Sequence, residues 1–285
     1  MKTLIRSDSS STIGLGHIMR DLVFAKNLEG EVIFACQKLE GNIIASIPYD
    51  VNVLTSNNAD ELIMLIRTLD VDLLVIDHYG IDATFERTVK EATKVKILSF
   101  DDTYAPHHCD ILINPNISAH VSRYENLVPQ TCELRCGEPL IREEFKIEKA
   151  LQRKKIDDIC IAMGGTDATN ITLSILKVLP QKLHISVLTT TANAHLNELQ
   201  NYTKTHTNIT LYVNSNEVAK LLHQSRFAIV TPSVMVHEVL FMEVPFIAIK
   251  VADNQADMFA YLQKQGYPVL KEWNASSFMQ LYNAQ

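Results

Sequence analysis

The sequence predicts an α/β protein of two Rossmann-like domains, each built on a parallel sheet with helices on both faces. Three observations carry the prediction. Short apolar runs alternate with segments of helical spacing along most of the 285 residues, the signature of repeated βαβ units. The stretch 141–156, IREEFKIEKALQRKKI, is dense in charge and breaks that alternation near the middle. A new strand–loop–helix pattern starts directly after it, so each side holds enough chain for a domain with its own core.

Taken in order, strands are expected at residues 3–6, 32–35, 51–54, 73–77, 96–100 and 111–114, then at 158–163, 182–189, 209–213, 227–231 and 245–250. Helices are expected at 18–28, 59–69, 169–179 and 217–224, where apolar residues recur every three or four positions. The boundaries follow: an N-terminal domain at 1–142, a connection at 143–156, a C-terminal domain at 157–272 and a tail at 273–285. In open parallel sheets, ligands bind beyond the carboxyl ends of the strands. Two such domains facing each other would hold a substrate in the cleft between them.

A hydrophobic fraction of 47% with 21% charged residues is that of an ordinary globular protein able to bury a core in each half. The net charge of −7 speaks against a nucleic-acid partner, which requires a basic face. No apolar stretch approaches the roughly 20 residues of a membrane span. The start, MKTLI, runs into a polar loop without the apolar core of a signal peptide, and the five cysteines have no framework spacing. A cytoplasmic, reduced protein is expected.

The strand-end loops hold the candidate chemistry. Gly14-Leu-Gly16-His17-Ile-Met19 starts like a dinucleotide fingerprint, but Met19 fills the third glycine position and no acidic residue ends the second strand at 35–36. His17 is then either an incidental helix-start residue or a group acting on whatever the loop holds. In the second half, Met163-Gly164-Gly165-Thr166-Asp167 joins a strand to a helix, where free N–H groups and the helix dipole favour an anion. An ordinary glycine turn has the same pattern. Glu238, among Val236, Val239 and Leu240, reads either as a solvated face residue or as the acceptor for both hydroxyls of a ribose. Asn254 and Gln255 are uncharged hydrogen-bonding groups in another strand-end loop. Asp101 and Asp102, with His107, His108 and Cys109 nearby, supply metal-ligand types but fit no zinc spacing, so a turn-making role is expected. The P-loop and the serine-hydrolase elbow are both absent from the sequence.

Together RSDSSSTIGLGH, DHYG, SFDDTYAPHHCDILIN, LIREEF, MGGTD, the 233–238 segment and the Asn254-Gln255 pair resemble the UDP-sugar hydrolases of pseudaminic acid biosynthesis. Those enzymes are relatives of the GT-B glycosyltransferase that makes lipid II, and the resemblance runs from Lys2 to about Tyr267. It implies an α/β fold of GT-B type, two Rossmann-like domains with parallel sheets facing across a cleft. It also implies hydrolysis of UDP-2,4-diacetamido-2,4,6-trideoxy-β-L-altropyranose by water attack at the anomeric carbon, with inversion. No residue pattern demands a metal, since helix dipoles can carry the diphosphate charge, and neither metal nor cofactor is expected. By the same resemblance His17 is the catalytic residue. Arg6, Asp8, Gly14, Gly16, Tyr79 and Asn254 fall on the sugar side, and Gly164, Gly165, Thr166, Ser233 and Glu238 on UDP. The expected partner is the small-molecule UDP-sugar, with neither nucleic acid nor membrane, and the chain is expected to be a monomer. A GT-B glycosyltransferase using a UDP-sugar donor, and a non-catalytic nucleotide-sugar binder, are the competing readings.

Overall fold

In the computed structural model, which describes residues 1–10 and 12–285, the chain divides into two units, Met1–Leu140 and Ile141–Gln285. The first unit runs β1 (Lys2–Ser7), α1 (Gly16–Ala25), β2 (Glu31–Gln37), β3 (Asp50–Leu54) and α2 (Ala59–Leu69). It continues with β4 (Leu73–Asp77), α3 (Ala83–Thr93), β5 (Lys96–Phe100), β6 (Ile111–Asn114) and β7 (Glu133–Cys136). The strands form one sheet in the order β3-β2-β1-β4-β5-β6-β7, with every paired neighbour parallel. The chain leaves β1 towards one edge and returns at β4 on its other side, which makes the β1/β4 junction the topological switch point.

Successive strand residues point to opposite faces, and both faces of this sheet are apolar. Leu4, Leu74, Ile76 and Ile97 pack with Leu62 and Ile66 of α2 and Val89 of α3. Ile5, Val75, Leu98 and Phe100 pack on the other side with Ile18 of α1. Each such fully buried side chain contributes about 1.5–3 kcal/mol. Continuous burial on both faces is why the strands read as unbroken apolar runs instead of alternating ones.

The second unit begins with α4 (Glu143–Lys149), β8 (Asp157–Ala162), α5 (Ile171–Val178), β9 (Ile185–Thr189), α6 (Leu196–Lys204) and β10 (Ile209–Val213). It ends with α7 (Val218–Gln224), β11 (Ser225–Val230), α8 (Val234–Phe241), β12 (Phe246–Ile249), α9 (Ala256–Lys264), β13 (Val269–Leu270) and α10 (Ala275–Asn283). Its sheet, β10-β9-β8-β11-β12-β13, is also parallel throughout, with the switch point between β8 and β11. The charge-dense segment forms α4, which packs on α7, and α10 packs on α5 with Phe278 fully buried in the core. Two strands, β7 and β13, have no counterpart among the sequence expectations. Both are sheet edges, four and two residues long, too short to leave a pattern.

Candidate active site

At the first switch point, β1 ends at Ser7 beside Asp77 of β4, and the loop that follows carries His17 into the first turn of α1. The loop closes on itself through backbone bonds between Ser10 and Gly14, at 2.9 and 3.3 Å. Gly14 has φ +86°, a conformation that a residue with a Cβ adopts only with strain. Gly16 begins α1, where an added Cβ would meet no atom within 4 Å among the described residues.

His17 is 6% exposed, and its Nδ1–H donates to Asp77 Oδ1 at 2.5 Å. Arg20, one turn further along α1, donates Nε to Asp77 Oδ2 at 2.7 Å and Nη2 to Oδ1 at 2.6 Å. Its Nη1 donates to Asp102 Oδ2 at 3.2 Å, and the Tyr79 hydroxyl donates to Asp102 Oδ1 at 2.8 Å. The Tyr79 ring meets the His17 ring edge-on, with centroids 4.6 Å apart, so the five side chains form a closed circuit. Burial works to raise the Asp77 pKa, but the Arg20 charge and the bonds from His17 and Arg20 outweigh it and lower it to about 2. Asp77 is therefore ionised at neutral pH and sets the histidine tautomer. With Nδ1 carrying the proton for Asp77, Nε2 keeps the lone pair that can accept another.

Two other residues expected on the sugar side are turned inward. Arg6 and Asp8 are each 1% exposed and joined by two hydrogen bonds of 2.7 and 2.8 Å. Arg6 also donates to Asn57, while Asp8 accepts from the Gln37 amide at 2.7 Å and pairs with His78 at 3.1 Å. They brace the β1 and β4 strand ends. Asp101 accepts from Thr103, Tyr104 and Tyr124, the turn-making role expected of it.

In the second unit the loop after β8 places Gly164 at φ +89° and Gly165 against Thr190, whose hydroxyl donates to the Gly165 carbonyl at 2.8 Å. Asp167 caps α5, accepting from the Ile171 and Thr172 amides at 2.9 and 3.1 Å. That carboxylate occupies the amides an anion would use at α5. By contrast, among the described residues no side chain caps α8 at Ser233, which lies across the switch point and shares a hydroxyl contact of 2.9 Å with Thr231. Glu238, on α8, is 1% exposed and accepts from Arg142 Nε at 2.6 Å and Nη2 at 3.0 Å. Burial raises the Glu238 pKa, and Arg142 opposes the rise without cancelling it.

A hollow of about 160 Å³ lies beside the glycine loop, lined by Gly164, Gly165, Arg142, Thr190, Asn214 and Met235. Its volume suits one fragment of a ligand, such as a base, not a whole one. A second, about 520 Å³, opens beside Lys250, Asp253 and Trp273. The larger hollow is lined by none of the expected residues, and Asn254 is exposed at the next position in the chain. Of the expected residues, Gly164 and Gly165 line the smaller one. Arg142, Thr190 and Asn214 escaped the sequence reading. The strand-end rule applied to β9 and β10 points to Thr190 and Asn214; Arg142 lies within the LIREEF motif, but nothing local ties it to Glu238, 96 residues away. Among the described residues, no group of three or more His, Cys, Asp or Glu side chains is arranged to hold a metal ion.

Two parallel sheets, each with its glycine-bearing loop at the switch point, define the GT-B class of architecture. MurG from Acinetobacter baumannii aligns over 100% of this chain and 90% of its own, with TM-score 0.65 and 14% identity. Anabaena HepE, solved in complex with UDP, aligns over 100% and 89%, with TM-score 0.66 and 10% identity. At such identities the likeness is one of fold. No protein-family model matches the chain. In sequence, a Campylobacter jejuni protein named UDP-2,4-diacetamido-2,4,6-trideoxy-beta-L-altropyranose hydrolase is 48% identical over 271 residues, covering 94% of this chain and 98% of that protein. An uncharacterised protein of Methanocaldococcus jannaschii is 26% identical over 285 residues, covering 93% of this chain and 59% of its own length. The chain belongs to the family of the Campylobacter UDP-sugar hydrolase.

Proposed function

We propose that the protein hydrolyses UDP-2,4-diacetamido-2,4,6-trideoxy-β-L-altropyranose to UDP and the free sugar, the step that supplies the sugar for pseudaminic acid synthesis. Kinship at 48% identity supports the substrate, and the His17–Asp77 pair supports the chemistry. A water oxygen attacks the anomeric carbon while His17 Nε2 takes its proton. The bond from that carbon to the diphosphate oxygen breaks, and its electron pair leaves with UDP. A single displacement of this kind inverts the anomeric centre. General-base help is worth about 10²–10⁴ in rate.

UDP is assigned to the second unit. The amides of Gly164, Gly165 and Thr166 and the uncapped start of α8 at Ser233 are donors for the diphosphate. Glu238, steadied by Arg142, accepts from the ribose hydroxyls with the lone pairs that Arg142 leaves free. Tyr79 and Asn254 contact the sugar. Arg6, Asp8, Gly14 and Gly16 act by shaping the loop that carries His17. The same reading takes the protein as a cytoplasmic monomer that uses neither metal nor cofactor.

Turnover in ¹⁸O-water tests the reaction. Label in the free sugar is the expected result; label in UDP means attack at phosphorus and overturns the proposal. For the base, His17→Asn is expected to lose at least about 10²-fold in kcat with UDP affinity unchanged. Near-normal turnover by that variant removes His17 from the role.

A further inference from the structure

Asp21 is buried completely, one helical turn beyond His17 on the same face of α1. Neither of its carboxylate oxygens has a hydrogen-bond donor among the described residues. The Ser7 hydroxyl lies near enough to favour ionisation but forms no well-shaped bond, and is itself buried without a partner among the described residues. The groups around Asp21 are His17 and Arg20 on α1, Ser7 on β1, Asp77 on β4 and the Cys36 thiol on β2. Arg20 is the cation among them; it turns three of its donors to Asp77 and Asp102, and none reaches Asp21. A third carboxylate charge there has nothing to balance it, and a buried acid in that position takes up a proton instead.

The geometry points to Asp21 as a positioning residue that keeps its proton at neutral pH and donates it in a hydrogen bond to the Asp77 carboxylate. Protonation turns two orphaned acceptors into a donor and a carbonyl, and the available acceptor is the same carboxylate that holds His17. Burial, followed by the Asp77 charge, pushes the Asp21 carboxyl well above the usual range, in keeping with this arrangement. Asp77 is then fixed from three sides, by His17, Arg20 and Asp21, so its orientation does not follow the histidine when the proton moves. The inference rests on the reading of His17 as the base.

Removing the donor leaves the Asp77 charge undivided on His17. That favours the imidazolium, so the base is lost at a higher pH. Steady-state kinetics of the full chain across pH, with Asp21→Ala, Asp21→Asn and His17→Asn, read this directly. Asp21→Ala is expected to lower kcat/KM about tenfold and move the acid limb upward by about one pH unit. Asp21→Asn, whose amide N–H replaces the acid O–H, is expected to recover most of both changes. The infrared spectrum at neutral pH, with ¹³C-aspartate label, is expected to show a protonated-carboxyl carbonyl band that Asp21→Asn lacks. No band lost in Asp21→Asn overturns the proposal, as does an unmoved limb in Asp21→Ala or equal damage in both variants. The band does not depend on turnover, and Asp21→Asn serves if Asp21→Ala fails to fold. Near-normal turnover by His17→Asn instead sinks the base assignment, and the band then decides by itself whether Asp21 holds the proton.

Discussion

Replacing Asp77 by asparagine changes charge and hydrogen-bond polarity at the centre of the first unit without changing size. In the wild type, besides the bond inferred from Asp21, Asp77 accepts one bond from His17 and two from Arg20. Asparagine offers one carbonyl and one amide. With the carbonyl on the Arg20 fork, the amide N–H faces His17 Nδ1, which must then accept, and the proton moves to Nε2. A histidine protonated at Nε2 cannot take a proton from water. The loss should therefore match most of the general-base contribution, about 10²–10⁴ in kcat, or about 3–5 kcal/mol at 1.36 kcal/mol per decade. Stability should fall by about 1–3 kcal/mol for the weakened buried network, seen as a lower unfolding midpoint. UDP affinity should not move, because the residues assigned to it lie in the other unit. The assay is UDP release over a pH series, with calorimetric UDP titration and thermal unfolding on the same protein. A folded variant with kcat within about threefold of wild type, less than 1 kcal/mol of barrier, would refute the tautomer argument.

Three further outcomes can be checked. Glu238→Gln should weaken UDP binding about tenfold, the worth of one charged hydrogen bond, with less effect on kcat; calorimetric titration measures it, and unchanged affinity moves the ribose elsewhere. His107, 9% exposed, donates to Glu86 at 2.8 Å and lies 3.9 Å from Asp101. Burial disfavours its charge, but the Asp101 and Glu86 carboxylates prevail and raise its pKa from 6.5 to about 9. Its contribution to stability is thus complete below pH 6.5 and is lost as pH rises through about 9, on the order of 1 kcal/mol per pH unit in that window. Urea unfolding at several pH values should show this slope in the wild type and a flatter one in His107→Gln. Full turnover in EDTA is expected, since helix and loop amides are assigned the diphosphate charge; strict dependence on added magnesium would contradict that assignment.

How much of this was legible in the sequence depends on the range of the interaction. Strands β4, β5 and β6 are stated residue for residue, because burial on both faces leaves continuous apolar runs bounded by turns. The edge strand ELRC of β7 alternates over only four residues and carries no such signal. His17 stands out locally, as a histidine after two glycines where a strand hands over to a helix. Its pairings do not: Asp77 ends a strand in the DHYG motif but 60 residues away, and Arg20 looks like any helix arginine until it is seen reaching Asp77 and Asp102. Arg6 and Asp8 illustrate the opposite limit. Their motif marks them, yet the structure spends their charges on each other and on neighbouring loops. Asp167 shows that a glycine turn before a helix does not by itself leave the helix start free for an anion.

The parallel pairing of β1 with β4 also bears on how the protein reaches its active form. Those strands are joined across α1, β2, β3 and α2, so the largest loop closure in the neighbourhood precedes the contact of His17 with Asp77. Parallel sheets with such distant partners form slowly. The helices can be complete, and a circular-dichroism signal full, while β1 and β4 are still apart. Recovery of hydrolysis during refolding should therefore lag behind recovery of helix, and specific activity becomes the stricter gauge of whether a preparation has finished folding.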